Sequence, residues 1–183
     1  MPSRRLVIVA LAALAAGVGA AAAGVFLVGG DEARAPETRG SGTGAPLSGP
    51  EVRFGGADVT TGAAVGLGKL KGRPVVVTVW ASWCKACPAQ ADPLRRFAGT
   101  NDHVSLLAVD TQEDAEAARA FLGAHDLSIP TVADEDGHIA AKLGVRELPT
   151  TIFLTSDHRV ASMWEGPAGL GRLKAGARAA GSG

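Results

Sequence analysis

Apolar runs and glycine-rich polar breaks divide the chain into three stretches of different pattern. Residues 6–28 run for 23 positions without a charged or strongly polar side chain, behind the basic pair Arg4 and Arg5. A spanning helix needs about 20 apolar residues, so the run is long enough, although nine of its residues are Ala and three are Gly. It reads either as a retained membrane anchor or as a signal peptide with a long apolar core. Ala33-Arg34-Ala35 has the form of a cleavage site, but Pro36 is a poor residue to follow a cut. In either reading the two arginines keep the N-terminus in the cytoplasm and send the rest of the chain outside. Residues 29–50 contain nine Gly or Pro in 22 positions. Such a stretch buries too little apolar surface to offset its ordering entropy, and is expected to be a flexible linker.

Residues 51–183 leave 133 positions, enough for one well-buried core. Here the pattern alternates between strand and helix. The β-branched run Val75-Val76-Val77-Thr78-Val79-Trp80 follows Gly72-Arg73-Pro74 and predicts a central strand buried on both faces. A helix is predicted over 84–97 and a second buried strand over 104–109. A helix over 115–124 follows, with Glu113 and Asp114 at its positive end. A short strand at 129–133, a short helix at 138–143, strands at 150–154 and 160–164, and a last helix at 170–180 complete the pattern. Alternating strands and helices imply an α/β sandwich around a largely parallel sheet. The short turn at Ser156-Asp157 makes the closing strand pair antiparallel.

Composition removes several function classes. Lys+Arg and Asp+Glu are both 18, so the net charge is zero and a basic nucleic-acid surface is not expected. A hydrophobic content of 46% suits a globular chain with one apolar leader, not a multi-span membrane protein. Two cysteines are too few for a disulfide framework.

Those two cysteines carry the chemistry. Trp83-Cys84-Lys85-Ala86-Cys87 follows the buried strand directly. At the start of a helix, a spacing of three puts both sulfurs on one face, close enough to bridge. Cys84 would then sit at the helix N-terminus, where free N–H groups and the macrodipole favour a thiolate. It is expected to be an exposed nucleophile with a resolving thiol behind it, and Lys85 adds positive charge nearby. Two other uses of the pair stay open. A passive staple closing so short a loop adds little chain-entropy stabilisation. A zinc half-site needs two more ligands, and His103, His125, His138 and His158 have no ligand-like spacing. Leu148-Pro149-Thr150 stands just before a core strand, where a cis X–Pro bond would fit. Asp134-Glu135-Asp136 reads as a solvated turn.

Taken together, 70–77, 79–87, Phe121-Leu122, Pro130, Asp134 with Gly137, and Gly144-Val145 leading into Leu148-Pro149-Thr150-Thr151 resemble the thioredoxin superfamily. Within it they are most similar to the membrane-tethered TlpA/ResA/DsbE-like thiol-disulfide oxidoreductases, the redoxin domain. The resemblance covers about 52–166. It implies a thioredoxin-like three-layer sandwich with a central mixed sheet, and no cofactor beyond the redox-active pair. Cys84 would be the attacking thiolate and Cys87 the resolving cysteine. Trp83, Leu148, Pro149 and Thr150 would shape a substrate groove, with Pro149 in cis and the Leu148 backbone facing an extended partner segment. Implied partners are protein thiols or disulfides, such as apocytochrome c or secreted proteins, and a membrane thiol reductase or oxidase. The implied location is extracytoplasmic, on a single-pass anchor at 6–28 or secreted after cleavage. The residues expected to tune the pair are Lys85, Ala86, Thr78 and Gln90. Thr78 and Gln90 occupy positions where relatives carry an Asp or a Glu, and Gln90 alone would read as a helix-surface amide. The alternative of another class is a copper carrier of the same fold, which ordinarily uses wider Cys spacing and a distant His.

Overall fold

A computed structural model describes Gly49, residues 51–100 and residues 102–182. The expected anchor at 6–28 and all but Gly49 of the linker lie outside the described residues. Strands β1 (Gly55–Ala57) and β2 (Ala64–Gly66) form a small antiparallel hairpin. The main sheet contains β3 (Val75–Trp80), β4 (Ser105–Thr111), β5 (Thr131–Asp134), β6 (Thr150–Leu154) and β7 (Val160–Glu165), in the order β5-β4-β3-β6-β7. The helices are α1 (Pro88–Ala98), α2 (Ala115–Ala124), α3 (His138–Lys142) and α4 (Leu170–Gly181).

β3 lies at the centre, and every one of its residues is buried. Alternation sends its side chains to two cores. Val76 and Trp80 face a core shared with α1, α2 and α4, whereas Val75, Val77 and Val79 face one shared with α3 and Leu67. A strand covered on both sides has no polar face to show, which is why 75–80 reads as one apolar run. The sheet is evenly mixed rather than largely parallel. β3–β4 and β4–β5 are parallel, while β3–β6 and β6–β7 are antiparallel. The expectation missed that β6 returns beside β3 in the opposite sense, because pattern alone carries no strand order.

The β1–β2 hairpin was not expected either. Its strands are mostly Gly and Ala and leave no apolar stripe. A polar device ties it to the sheet. The Asp58 carboxylate accepts Thr131 N–H at 2.9 Å, Thr61 N–H at 2.8 Å, Thr60 N–H at 3.1 Å and the Thr61 hydroxyl. Burial alone would raise its pKa, but the four donors outweigh it and hold the carboxyl below the usual range.

The close seat of α4 on β6 depends on Gly176. A Cβ at this position would overlap the fully buried ring of Phe153. Gly176→Ala gains about 1 kcal/mol of helix propensity, but overpacking costs about 1–3 kcal/mol. The clash should win, and a thermal melt should show a lower midpoint than the parent chain.

Candidate functional site

The strand-to-helix connection after β3 carries the cysteines, and they form a disulfide: S–S is 2.14 Å and Cα–Cα 5.4 Å. The expected helix over 84–97 begins later, at Pro88. Pro88 has no N–H to offer the Cys84 carbonyl, so the helical ladder stops there. Cys87 instead donates its N–H to Cys84 O at 3.1 Å, and Cys84 donates to Ala81 O at 3.2 Å. Cys84 therefore sits a turn ahead of the helix and Cys87 caps it, so the dipole favours Cys84 less than a helix-terminal position would. Nor is Cys84 openly exposed. It is 6% accessible, against 3% for Cys87 and 54% for the neighbouring Trp83.

Cys84 is reached through a groove of about 650 Å³, whose walls include Trp83, Cys84, Lys85, Ala86, Arg146 and Leu148. The Leu148–Pro149 bond is cis. Thr150, which opens β6, pairs with Val79 near the end of β3, and this register carries the proline loop to the cysteine loop. On the inner side, Cys87, Pro149, Thr78 and Gln90 wall a space of about 10 Å³, near the room one water needs. Trp83, Lys85, Ala86 and Leu148 thus meet Cys84 at the groove, whereas Thr78, Gln90 and Pro149 meet Cys87 beneath it. Thr150 is buried, and its hydroxyl donates to Glu147 O at 2.6 Å.

Gln90 is not a surface amide. It is 1% accessible. Its Nε2 donates to the hydroxyls of Thr78 and Thr151, both at 3.0 Å, and its Oε1 accepts Ala168 N–H at 2.9 Å. It joins α1 to β3, β6 and the loop before α4. Asp134 is likewise no solvated turn residue. It is buried and accepts the Thr111 hydroxyl and the N–H groups of Ile139 and Ala140 at the start of α3.

Sequence reasoning placed Glu113 only at the start of α2 and passed over Asp110. Glu113 accepts the backbone N–H of Ser82 at 2.5 Å and the Ser82 hydroxyl. Asp110, in register with Trp80, is fully buried. A single acid ending the apolar stretch of β4 was the available signal. Among the described residues, no group of three His, Cys, Asp or Glu side chains could hold a metal. Nor is any described helix long and apolar enough to cross a membrane.

A five-stranded mixed sheet between helical layers, with a CxxC disulfide after the central strand and a cis-proline beside it, defines a thioredoxin-like α/β protein. The chain belongs to the Redoxin family, whose pattern matches residues 35–173. It is 31% identical over 101 residues to the soluble secreted antigen MPT53 of Mycobacterium tuberculosis, covering 55% of this chain and 58% of that one. It is 28% identical over 111 residues to the thiol-disulfide oxidoreductase ResA of Bacillus subtilis, covering 58% of this chain and 61% of that one. The matches to these curated relatives thus span about three fifths of their length. A solved structure with the same fold is a secreted Mycobacterium tuberculosis disulfide oxidoreductase homologous to E. coli DsbE. It has 26% identity and a TM-score of 0.62, covering 69% of this chain and 95% of that one.

Proposed function

We propose that the chain exchanges thiols and disulfides with protein partners through Cys84 and Cys87. The observation that carries this is the Cys84–Cys87 disulfide at the wall of an open groove. In the oxidising direction a partner thiolate attacks Cys84 Sγ, the Cys84–Cys87 bond breaks, and Cys87 leaves as a thiolate. A second partner thiolate then attacks the partner's sulfur in the mixed disulfide and releases Cys84. Two electrons have moved from the partner dithiol to this chain. The reducing direction is the reverse, beginning with attack by the Cys84 thiolate and ending with resolution by Cys87.

Other residues assist. The exposed ammonium of Lys85 stands next to Cys84 and favours its thiolate. Leu148 presents its backbone to an extended partner segment in the groove, and Trp83 covers the other side. Neither Thr78 nor Gln90, which wall the small space at Cys87, is a carboxylate, so the Cys87 proton passes through that space, which has about the room one water needs. The likeness to ResA and to a secreted antigen supports a location outside the cytoplasm, with residues 6–28 as anchor or signal. The chain's partners in this reading are protein thiols or disulfides, such as those of apocytochrome c or secreted proteins, with a membrane thiol reductase or oxidase as the redox source.

Equilibration of the purified chain with glutathione buffers tests this reading. A two-electron midpoint is expected. One near −270 mV makes the chain a reductant, and one near −120 mV an oxidant. Failure to equilibrate with any thiol buffer would sink the proposal.

A further inference from the structure

The exchange chemistry above leaves two carboxyls beside the cysteine loop unused. Asp110 is completely buried, and neither of its oxygens meets a hydrogen-bond donor among the described residues. The charged groups that bear on it are all acids: Glu113 and Asp114 in the turn before α2, and Asp134 at the end of β5. An ionised Asp110 would be stripped of water and repelled by each of them. Burial first, and Glu113 next, push its pKa up to about 9. It therefore keeps its proton at neutral pH, and a protonated carboxyl is a donor. Glu113 is the acceptor within its reach.

Glu113 turns its remaining acceptor capacity to the loop. Both donors of Ser82, the N–H and the hydroxyl, point to its carboxylate. Ser82 lies two residues before Cys84, and the turn it belongs to is closed by Cys84 N–H on Ala81 O. A shift of Ser82 therefore moves the backbone that carries the attacking sulfur.

We infer that Glu113 is a positioning residue for the Cys84 loop, held against Ser82 by the proton that Asp110 shares with it. The inference rests on the exchange reading above. No covalent step is involved. One proton is shared between two carboxyls.

The test uses the full chain and four proteins: wild type, Glu113→Ala, Glu113→Gln and Asp110→Asn. Exchange with glutathione is followed at pH 7, and unfolding is followed from pH 4 to 9. Glu113→Ala should slow exchange roughly tenfold or more, since small misplacements of a reacting group cost that much. Glu113→Gln retains a carbonyl acceptor for Ser82 N–H and should recover part of the loss. Asp110→Asn keeps a donor for Glu113 but has no proton to lose. The folded-state pKa of Asp110 is raised, so its stabilising contribution is whole below the unfolded value near 4 and is lost as pH rises towards about 9. Relative to Asp110→Asn, the wild-type unfolding constant should therefore grow by up to about tenfold per pH unit across that window.

Wild-type exchange rates in Glu113→Ala would overturn the positioning role. Parallel unfolding curves for wild type and Asp110→Asn would overturn the shared proton. An inert wild-type chain would instead remove the exchange reading and the positioning role with it, while the unfolding curves would still report on the acid pair.

Discussion

Cys84→Ser is expected to reduce thiol-disulfide exchange to the uncatalysed background, and Cys87→Ser to accumulate mixed disulfides that are not released. The two outcomes differ because the sulfurs have different access. Cys84 forms part of the groove wall, whereas Cys87 lies beneath it against Pro149 and Gln90. A serine hydroxyl is not ionised near neutral pH, so removal of Cys84 removes the attacking thiolate altogether. Removal of Cys87 leaves that thiolate but takes away the group that would break the mixed disulfide. Loss of fold is not an alternative cause. Closing a loop of about four residues contributes only about 2 kcal/mol in the chain-entropy model, within the margin of an ordinary domain. Non-reducing gels after incubation with a reducible protein would show the adducts. Adducts in Cys84→Ser and none in Cys87→Ser would reverse the assigned roles.

The parts of the fold that were legible in the sequence are those governed by short-range pattern. The buried run 75–80 is β3, and the predicted helix at 115–124 is α2 with the same bounds. Asp114 caps it through Glu116 N–H and Ala117 N–H, in keeping with its place at the positive end. What stayed hidden depends on partners far along the chain. Gln90 is placed near the pair only by the family resemblance; taken alone it reads as a surface amide, because an isolated Gln in an amphipathic helix is ordinarily solvated and its acceptor contact lies 78 residues away at Ala168. Asp134 was read as a turn acid because acids cluster in turns, but its oxygens cap α3 and bind Thr111. The hairpin of Gly and Ala escaped notice because Asp58, rather than an apolar stripe, attaches it to β5. The site divided in the same way. The CxxC and the proline are local motifs, whereas Glu113 reaches Ser82 from the turn after the neighbouring strand β4, whose Asp110 lies in register with Trp80.

Gln90→Ala should be among the most destabilising single changes in the domain, at about 3–5 kcal/mol. Part of the loss is the cavity left by a nearly inaccessible side chain. The rest comes from three orphaned groups, the Thr78 and Thr151 hydroxyls and Ala168 N–H, each of which keeps its desolvation cost and loses its partner. Gln90→Glu separates the two contributions. It fills the same space, and its oxygens can accept Ala168 N–H and, after rotation, both hydroxyls. Its cost is burial of a charge, which raises the carboxyl pKa. The stability of Gln90→Glu should therefore be close to wild type below the unfolded carboxyl value of about 4.3 and fall as pH rises above it. Gln90→Ala should show a deficit that does not vary with pH. Denaturant unfolding of the three proteins at pH 4 and pH 8 measures both effects. Equal, pH-independent losses in the two variants would mean that the amide contributes through its specific hydrogen bonds rather than through its volume. A pH-dependent loss confined to Gln90→Glu would show that this core position tolerates a polar side chain only while it is neutral. That would explain why an amide can occupy the position and why the proton on Cys87 must leave by another route.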